Sequence, residues 1–155
     1  MNNVLKSLWE EWQYGRGIII HFLEDLSEED LIKVFPRNKY NNILAQCNEL
    51  YEIQQDYFDA LETKNMDFAG RNLNLQDASK LAEKMKNLDN KMFQVFKILT
   101  GEEEINWFGE KKDAVQHICA MIGHEQMHIG QIVAFCYAVG IRIPDSIIQT
   151  MSLDD

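Results

Sequence analysis

Residues 112–139 read KDAVQHICAMIGHEQMHIGQIVAFCYAV, and this stretch decides the fold class. Its apolar residues recur every three or four positions, which is the period of an amphipathic helix. One stripe of that helix carries Ile118, Ile122, Ile129, Ile132, Cys136 and Val139. Gly140 follows at once and Pro144 comes soon after, a combination typical of a helix end. The sequence therefore predicts a helix that runs from Lys112 to Val139.

Three other segments of the chain show the same helical period. We predict these helices over residues 3–25, 39–63 and 75–99. A short helical turn after Ser27 and a final helix over Asp145–Met151 complete the expected elements. No internal repeat or long linker divides the chain, and no segment indicates a strand. We therefore expect one domain over residues 1–155, an all-α four-helix bundle with a short extra C-terminal helix.

The composition excludes several classes of partner. The chain has 155 residues, 15 of them basic and 25 acidic, and its net charge of −10 would repel nucleic acid and anionic membranes. Its longest apolar run, residues 17–20, is far shorter than the roughly 20 residues that span a bilayer. The opening MNNVLKSLWEEW lacks the apolar core of a signal peptide. Three widely spaced cysteines favour a reducing compartment, so we expect a cytoplasmic protein.

The residues HEQMH at positions 124–128 carry the strongest chemical signal. On a helix, His124 and His128 lie one above the other on the same face. Two imidazoles placed in this way can bind one divalent metal ion. The alternative is a pair of histidines that hydrogen-bond on a helix face without any metal. The interior context of this helix favours the metal site.

A metal site needs a third protein ligand, and the sequence offers few candidates. Cys47 lies on the inner face of the second predicted helix and is a good ligand as a thiolate. His21 is a weaker candidate, because it points away from the apolar face of the first helix. His117 lies two turns, or about 10 Å, before His124, too far to share the metal, and belongs either to the pocket wall or to a solvent-bonded rim. The expected pocket residues are His117, Met121, Gln131 and Trp107.

Two charged residues interrupt the apolar faces of the first and last long helices. Arg16 interrupts the first, and Glu125 interrupts the last. An unpaired charge at such a position is costly. We therefore predict an ion pair between Arg16 and Glu125 that joins the two helices. The alternative is that both side chains extend outward to solvent.

The five residues HEQMH at positions 124–128 also match HExxH, the signature of zinc peptidases in which the glutamate is the general base. Common forms of that motif need a further histidine or glutamate ligand downstream, and neither residue type follows His128. Such enzymes also hold a peptide against an edge strand, and we expect no strand. The sequence therefore favours another kind of metal site.

The segment HEQMHIGQ at residues 124–131, followed by Gly140 and Pro144, resembles the last-helix signature of the DinB/YfiT superfamily. The pattern there is approximately HExxHxGQ, then an apolar helix, a glycine and a proline. The segment LSEEDL at residues 26–31 and the following Pro36 also fit, so the resemblance covers nearly the whole chain. It implies a four-helix bundle with a shallow metal pocket, often as a homodimer, in which three histidines hold zinc or nickel.

The resemblance assigns two of those three ligands to His124 and His128. The third comes from the second helix of the family, and the corresponding residues 44–48 read LAQCN here, without a histidine. Cys47 lies in that window. Three arrangements stay open: a Cys47/His124/His128 site, a site of two histidines, or a pocket without metal.

Some members of the family are thiol-dependent transferases that use bacillithiol or mycothiol, and others resemble metal-dependent hydrolases. The resemblance thus implies an enzyme in which a thiol cosubstrate attacks a small electrophilic molecule, or a hydrolase. Gln131 would orient a ligand or a histidine ring. The alternative is a metal-free, non-catalytic bundle that dimerises or binds a small ligand. The apolar stretch at residues 18–23 favours a homodimer.

Overall fold

The structure is a computed structural model that describes residues 1–154. This part of the chain is mainly helical and also contains one small sheet. The helices are α1 (Asn3–Asp25), α2 (Glu28–Ile32), α3 (Ile43–Thr63), α4 (Ala78–Ile98), α5 (Ala114–Val139) and α6 (Asp145–Met151). The strands are β1 (Asn65–Met66), β2 (Glu104–Trp107) and β3 (Glu110–Asp113).

The four long helices begin at short polar side chains that accept a hydrogen bond from the first turn. These caps are Asn2, Asn42, Asp77 and Asp113. Gly140 ends α5 with a φ of 69°, a left-handed conformation that suits glycine. The predicted bounds of α1 and α6 and the end of α5 are confirmed. The helices α3, α4 and α5 begin later than predicted, because each starts only after its capping residue.

The long helices contact one another in a consistent pattern. α1 packs against α4 and α5, and α3 packs against the same two helices. Their apolar side chains form two clusters. Ile19, Phe22, Leu81 and Ile132 belong to the first, and Trp12, Phe96, Ile105 and Ile118 belong to the second. This packing brings the inner faces of α3 and α5 together.

Each long helix contributes residues to both apolar clusters, and on each helix one polar residue lies between the two sets. We call these four residues the ionic layer: Arg16, Gln54, Asp89 and Glu125. Arg16 Nη2 lies 3.2 Å from Glu125 Oε2 and donates to Gln54 Oε1 at 2.8 Å. Arg16 Nε lies 3.6 Å from Asp89 Oδ2, and Gln54 Nε2 donates to Asp89 Oδ1 at 2.6 Å. The predicted ion pair of Arg16 with Glu125 is confirmed, as one part of this larger network.

The sheet was not predicted. β1 pairs with β2 in parallel, and β2 pairs with β3 in antiparallel fashion. Strands of two to four residues are too short to show the alternating pattern by which strands are recognised. The expectation of a purely helical chain is therefore wrong, and so is the argument against a peptidase that relied on having no strand. The missing downstream ligand after His128 still opposes that interpretation.

The apolar stretch at residues 18–23 does not lie on the surface. Ile18, Ile19, Phe22 and Leu23 are each at most 3% exposed within the single chain. They pack in the first apolar cluster, so they supply no contact for a second copy.

His21 lies on the outer side of α1, where its side chain is 46% exposed and its Nδ1 is 3.2 Å from Asp25. Within residues 1–154, none of the helices has the length and apolar character needed to cross a bilayer.

Candidate metal centre

Two histidines of α5 and one glutamate of α3 form the site. His124 and His128 lie one turn apart on the face of α5 that packs against α3. Glu49 lies opposite them, with Oε1 at 3.4 Å from His124 Nε2 and Oε2 at 3.1 Å from His128 Nε2. One ligand atom from each of the three residues lies within 4.8 Å of the others. We call these three residues the metal cluster.

The hydrogen bonds of His128 identify the atom that faces Glu49. Gln46 Oε1 lies 3.1 Å from His128 Nδ1, so this nitrogen carries the proton and donates. Burial lowers the pKa of His128, and the charges of His124 and Arg37 lower it further, although Glu49 opposes them. A neutral ring with its proton on Nδ1 carries a lone pair on Nε2, which lies 3.1 Å from Glu49 Oε2 without a hydrogen bond between the two atoms. That oxygen is buried and has no hydrogen-bond donor in residues 1–154.

Two atoms that carry lone pairs 3.1 Å apart repel each other unless they share a cation, either a proton or a metal ion. A divalent metal ion satisfies both atoms at once. Ligand atoms that are each about 2.1 Å from one ion lie about 3.0 Å apart in an octahedron and about 3.4 Å apart in a tetrahedron. The distances of 3.1 and 3.4 Å, each from one histidine to a different carboxylate oxygen of Glu49, fall in this range. The residues present therefore fit a divalent metal.

The cluster is open on one side. The side chain of His128 is 5% exposed and that of Glu49 is 11% exposed, whereas His124 is 23% exposed. A metal held by these three residues would keep positions free for water or a substrate on the side of His124. Three protein ligands with an open position are typical of catalytic rather than structural zinc sites.

Cys47, the predicted third ligand, does not belong to the metal cluster. Its side chain is fully buried in the first apolar cluster. Burial raises the pKa of its thiol far above neutrality, and the nearby carboxylate of Glu125 raises it further. A protonated thiol in the core behaves as a small apolar side chain. Glu49, two residues further along α3, is the third residue of the metal cluster instead.

His117 is buried and has a partner for each ring nitrogen. Trp107 Nε1 donates to Nδ1 at 2.9 Å, and Nε2 donates to the backbone oxygen of Tyr57 at 2.9 Å. The indole N–H can only donate and the backbone carbonyl can only accept, so the ring must be neutral with its proton on Nε2. Burial accordingly lowers the pKa of His117 to about 4. Its predicted place outside the metal cluster is confirmed, but it faces neither solvent nor an open pocket.

The remaining predicted pocket residues have different surroundings. Trp107 positions His117, and the ammonium of Lys112 lies 3.6 Å from the centre of its ring. Met121 packs in the second apolar cluster. Gln131 Oε1 accepts from Arg37 Nη1 at 2.7 Å and therefore orients an arginine rather than a histidine.

Two residues of the site, Glu49 and Gln46, were not among the predicted ligands. They lie three residues apart on α3, and both face α5. The family resemblance directs attention to residues 44–48, the window of the missing histidine, and Glu49 lies just outside it. The helical period could have found Glu49, since it places Glu49 one turn after Gln46 on the same side. The role of Gln46 is to hold the ring of His128, which the sequence cannot show.

Comparison with models of protein families finds no family that the chain matches. Comparison with curated proteins likewise finds no relative of significant similarity. The geometry of the metal cluster is therefore the main basis for a functional assignment.

Proposed function

We propose that the protein is a DinB/YfiT-like, metal-dependent enzyme in which Glu49, His124 and His128 bind one zinc or nickel ion. The observation that carries this proposal is the distance of 3.1 Å between His128 Nε2 and Glu49 Oε2, a buried oxygen without a hydrogen-bond donor in residues 1–154. The pairwise packing of α1 and α3 against α4 and α5 supports a four-helix bundle of the DinB type. The family's third histidine is replaced by Glu49.

A metal bound at this site supplies Lewis-acid chemistry, which lowers the pKa of a bound thiol or water. The protein residues hold and orient the site. Gln46 accepts a hydrogen bond from His128 Nδ1 and holds the ring so that Nε2 lies on the side of Glu49. The carboxylate of Glu49 reduces the net positive charge of the site. The exposed side of His124 gives a small molecule access to it. This arrangement supports thiol transfer to a small electrophile or hydrolysis of a small molecule.

Elemental analysis tests the metal assignment. The chain is purified without an affinity tag and without chelator, incubated with excess zinc, and desalted. We expect about one zinc per chain in the wild type and less than a tenth of that in His128→Ala. His117→Phe is the matched control, because it removes a buried histidine of the same helix that is not in the cluster, and it should keep its zinc. A wild type without bound zinc would contradict the proposal.

A second candidate function is a metal-free module that binds a small ligand. A cavity of about 800 Å³ at the end of α5 favours it, because its volume suits a small molecule. Cys136, Ile141 and Ile148 line this cavity, and it shares no residue with the metal cluster. A wild type that takes up no zinc would favour this second function. Homodimer formation is part of either proposal, and gel filtration with light scattering measures it.

A further inference from the structure

Residues 33–42, the loop between α2 and α3, are anchored on α5 next to the metal cluster. The ring of Phe35 is 1% exposed and stacks on that of Phe135, with 4.8 Å between centroids. The backbone N–H of Phe35 donates to the oxygen of Asn41 at 2.6 Å, which closes the loop. The N–H of Arg37 donates to the oxygen of Phe35 at 2.8 Å. The anchor thus fixes the position of Arg37 relative to α5.

Arg37 is the arginine whose charge is not neutralised within residues 1–154. The chain has four arginines and 25 acidic residues. Arg16, Arg71 and Arg142 each lie within 4 Å of a carboxylate, whereas Arg37 has none within that distance in the described residues. Its only side-chain hydrogen bond goes from Nη1 to Gln131 Oε1 at 2.7 Å. A guanidinium has five N–H donors, so most of them remain available.

The guanidinium lies beside the metal cluster. Gln131, its partner, follows His128 by three residues and therefore lies one turn further along the same face of α5. The ring of Phe135 lies one turn beyond, with its centre 6.0 Å from the guanidinium carbon. One molecule bound at the metal can therefore reach Arg37 as well.

We propose that Arg37 is an anion-binding subsite that selects substrates or thiol cosubstrates bearing a carboxylate, in addition to the group that binds the metal. This inference rests on the proposed metal centre. A guanidinium binds a carboxylate through two parallel hydrogen bonds. A carboxylate suits the subsite better than a phosphate, because one positive charge balances one negative charge in a chain whose net charge is already −10. Gln131 and Phe135 hold the guanidinium in place before the ligand arrives.

The test compares thiols that differ only in charge. Cobalt-loaded protein is titrated with mercaptoacetate and with 3-mercaptopropionate, and each is compared with its uncharged alcohol, 2-mercaptoethanol or 3-mercapto-1-propanol. The thiolate-to-cobalt absorption band reports binding. For at least one pair, we expect the wild type to bind the acid about tenfold more tightly than the alcohol, as one charge-assisted hydrogen-bond pair implies. Arg37→Gln should bind the two equally, and Arg37→Lys should keep part of the preference.

Cobalt content is measured first in every variant, which separates the two proposals. A wild type that binds no cobalt overturns the metal centre and the subsite with it. A wild type that binds cobalt but has no preference for the acids overturns the subsite alone, as does a full preference in Arg37→Gln. If Arg37→Gln does not fold, equal binding of acid and alcohol by folded Arg37→Lys also overturns it. Arg142→Gln is the matched control, because Arg142 is 85% exposed, and it should keep the full preference.

Discussion

His117 and His128 are both buried residues of α5, yet their partners differ in kind. His117 has a donor on one side, the indole of Trp107, and an acceptor on the other, the backbone of Tyr57. A neutral imidazole satisfies both. His128 has an acceptor on each side, Gln46 Oε1 and Glu49 Oε2, and a neutral imidazole satisfies only one.

The comparison shows that burial alone does not identify a metal ligand. A polar group whose partners complete its hydrogen bonds is structural, and His117 belongs to this closed class. A group that faces surplus lone pairs is open and needs a ligand. We expect changes in closed groups to lower stability without loss of metal, and changes around the open group to do the reverse.

The largest effect on stability is expected in the ionic layer. Arg16→Met leaves the buried carboxylates of Asp89 and Glu125 without their cation, which should lower the free energy of unfolding by about 3–5 kcal/mol. Urea denaturation measures this change. Arg142→Met, at an exposed position, should change it by less than about 0.5 kcal/mol. A loss below about 1 kcal/mol in Arg16→Met would show that the layer does not depend on this charge.

The closed state of His117 predicts a pH dependence. Its folded pKa of about 4 lies below the ordinary histidine pKa of 6.5, so its contribution to stability is complete above pH 6.5 and is lost as the pH falls towards 4. The loss should approach about 3 kcal/mol. Urea denaturation at several pH values should show this slope in the wild type and not in His117→Phe. The control is His21→Gln, which should keep the slope because His21 is exposed.

A smaller effect, on zinc affinity, is expected from changing Gln46, the residue that orients His128. Gln46→Leu removes the acceptor of His128 Nδ1, which should weaken zinc binding about 10- to 100-fold. Competition with a chelator of known affinity measures the change. Gln55→Leu, on the same helix but bonded only to Tyr51, should bind zinc like the wild type. Unchanged affinity in Gln46→Leu would remove the role given to Gln46.

The smallest effect is expected for Cys47→Ala, a change that tests whether Cys47 is a metal ligand. Cys47→Ala should cost about 1 kcal/mol of stability, because it removes one sulfur from a packed core. Its zinc content should equal that of the wild type, as measured by elemental analysis. A variant that folds but loses its zinc would restore Cys47 as a ligand.

The sequence predicted much of the helical fold and part of the site. The periods of α1 and α5, Gly140 as a helix end, and the pair His124 and His128 all follow from local spacing. The ion pair of Arg16 with Glu125 followed from the cost of two charges on apolar faces.

The rest depends on contacts that spacing does not determine. The sheet was missed because β1, with two residues, has no readable pattern and is formed by pairing with a distant strand. Glu49 was missed because a glutamate on a helix is usually a solvated residue, and only the approach of α5 brings it next to the two histidines. Arg37 was missed because its position depends on the stacking of Phe35 on Phe135.

Anomalous diffraction from crystals of the zinc-loaded protein tests the central claim most directly. Data collected on both sides of the zinc absorption edge locate the ion without reference to any assumed ligand. We predict one peak about 2.1 Å from His124 Nε2, His128 Nε2 and a carboxylate oxygen of Glu49, with Cys47 in the core and not bound to it. No peak at this site, or a peak bound to Cys47 in place of Glu49, would contradict the account.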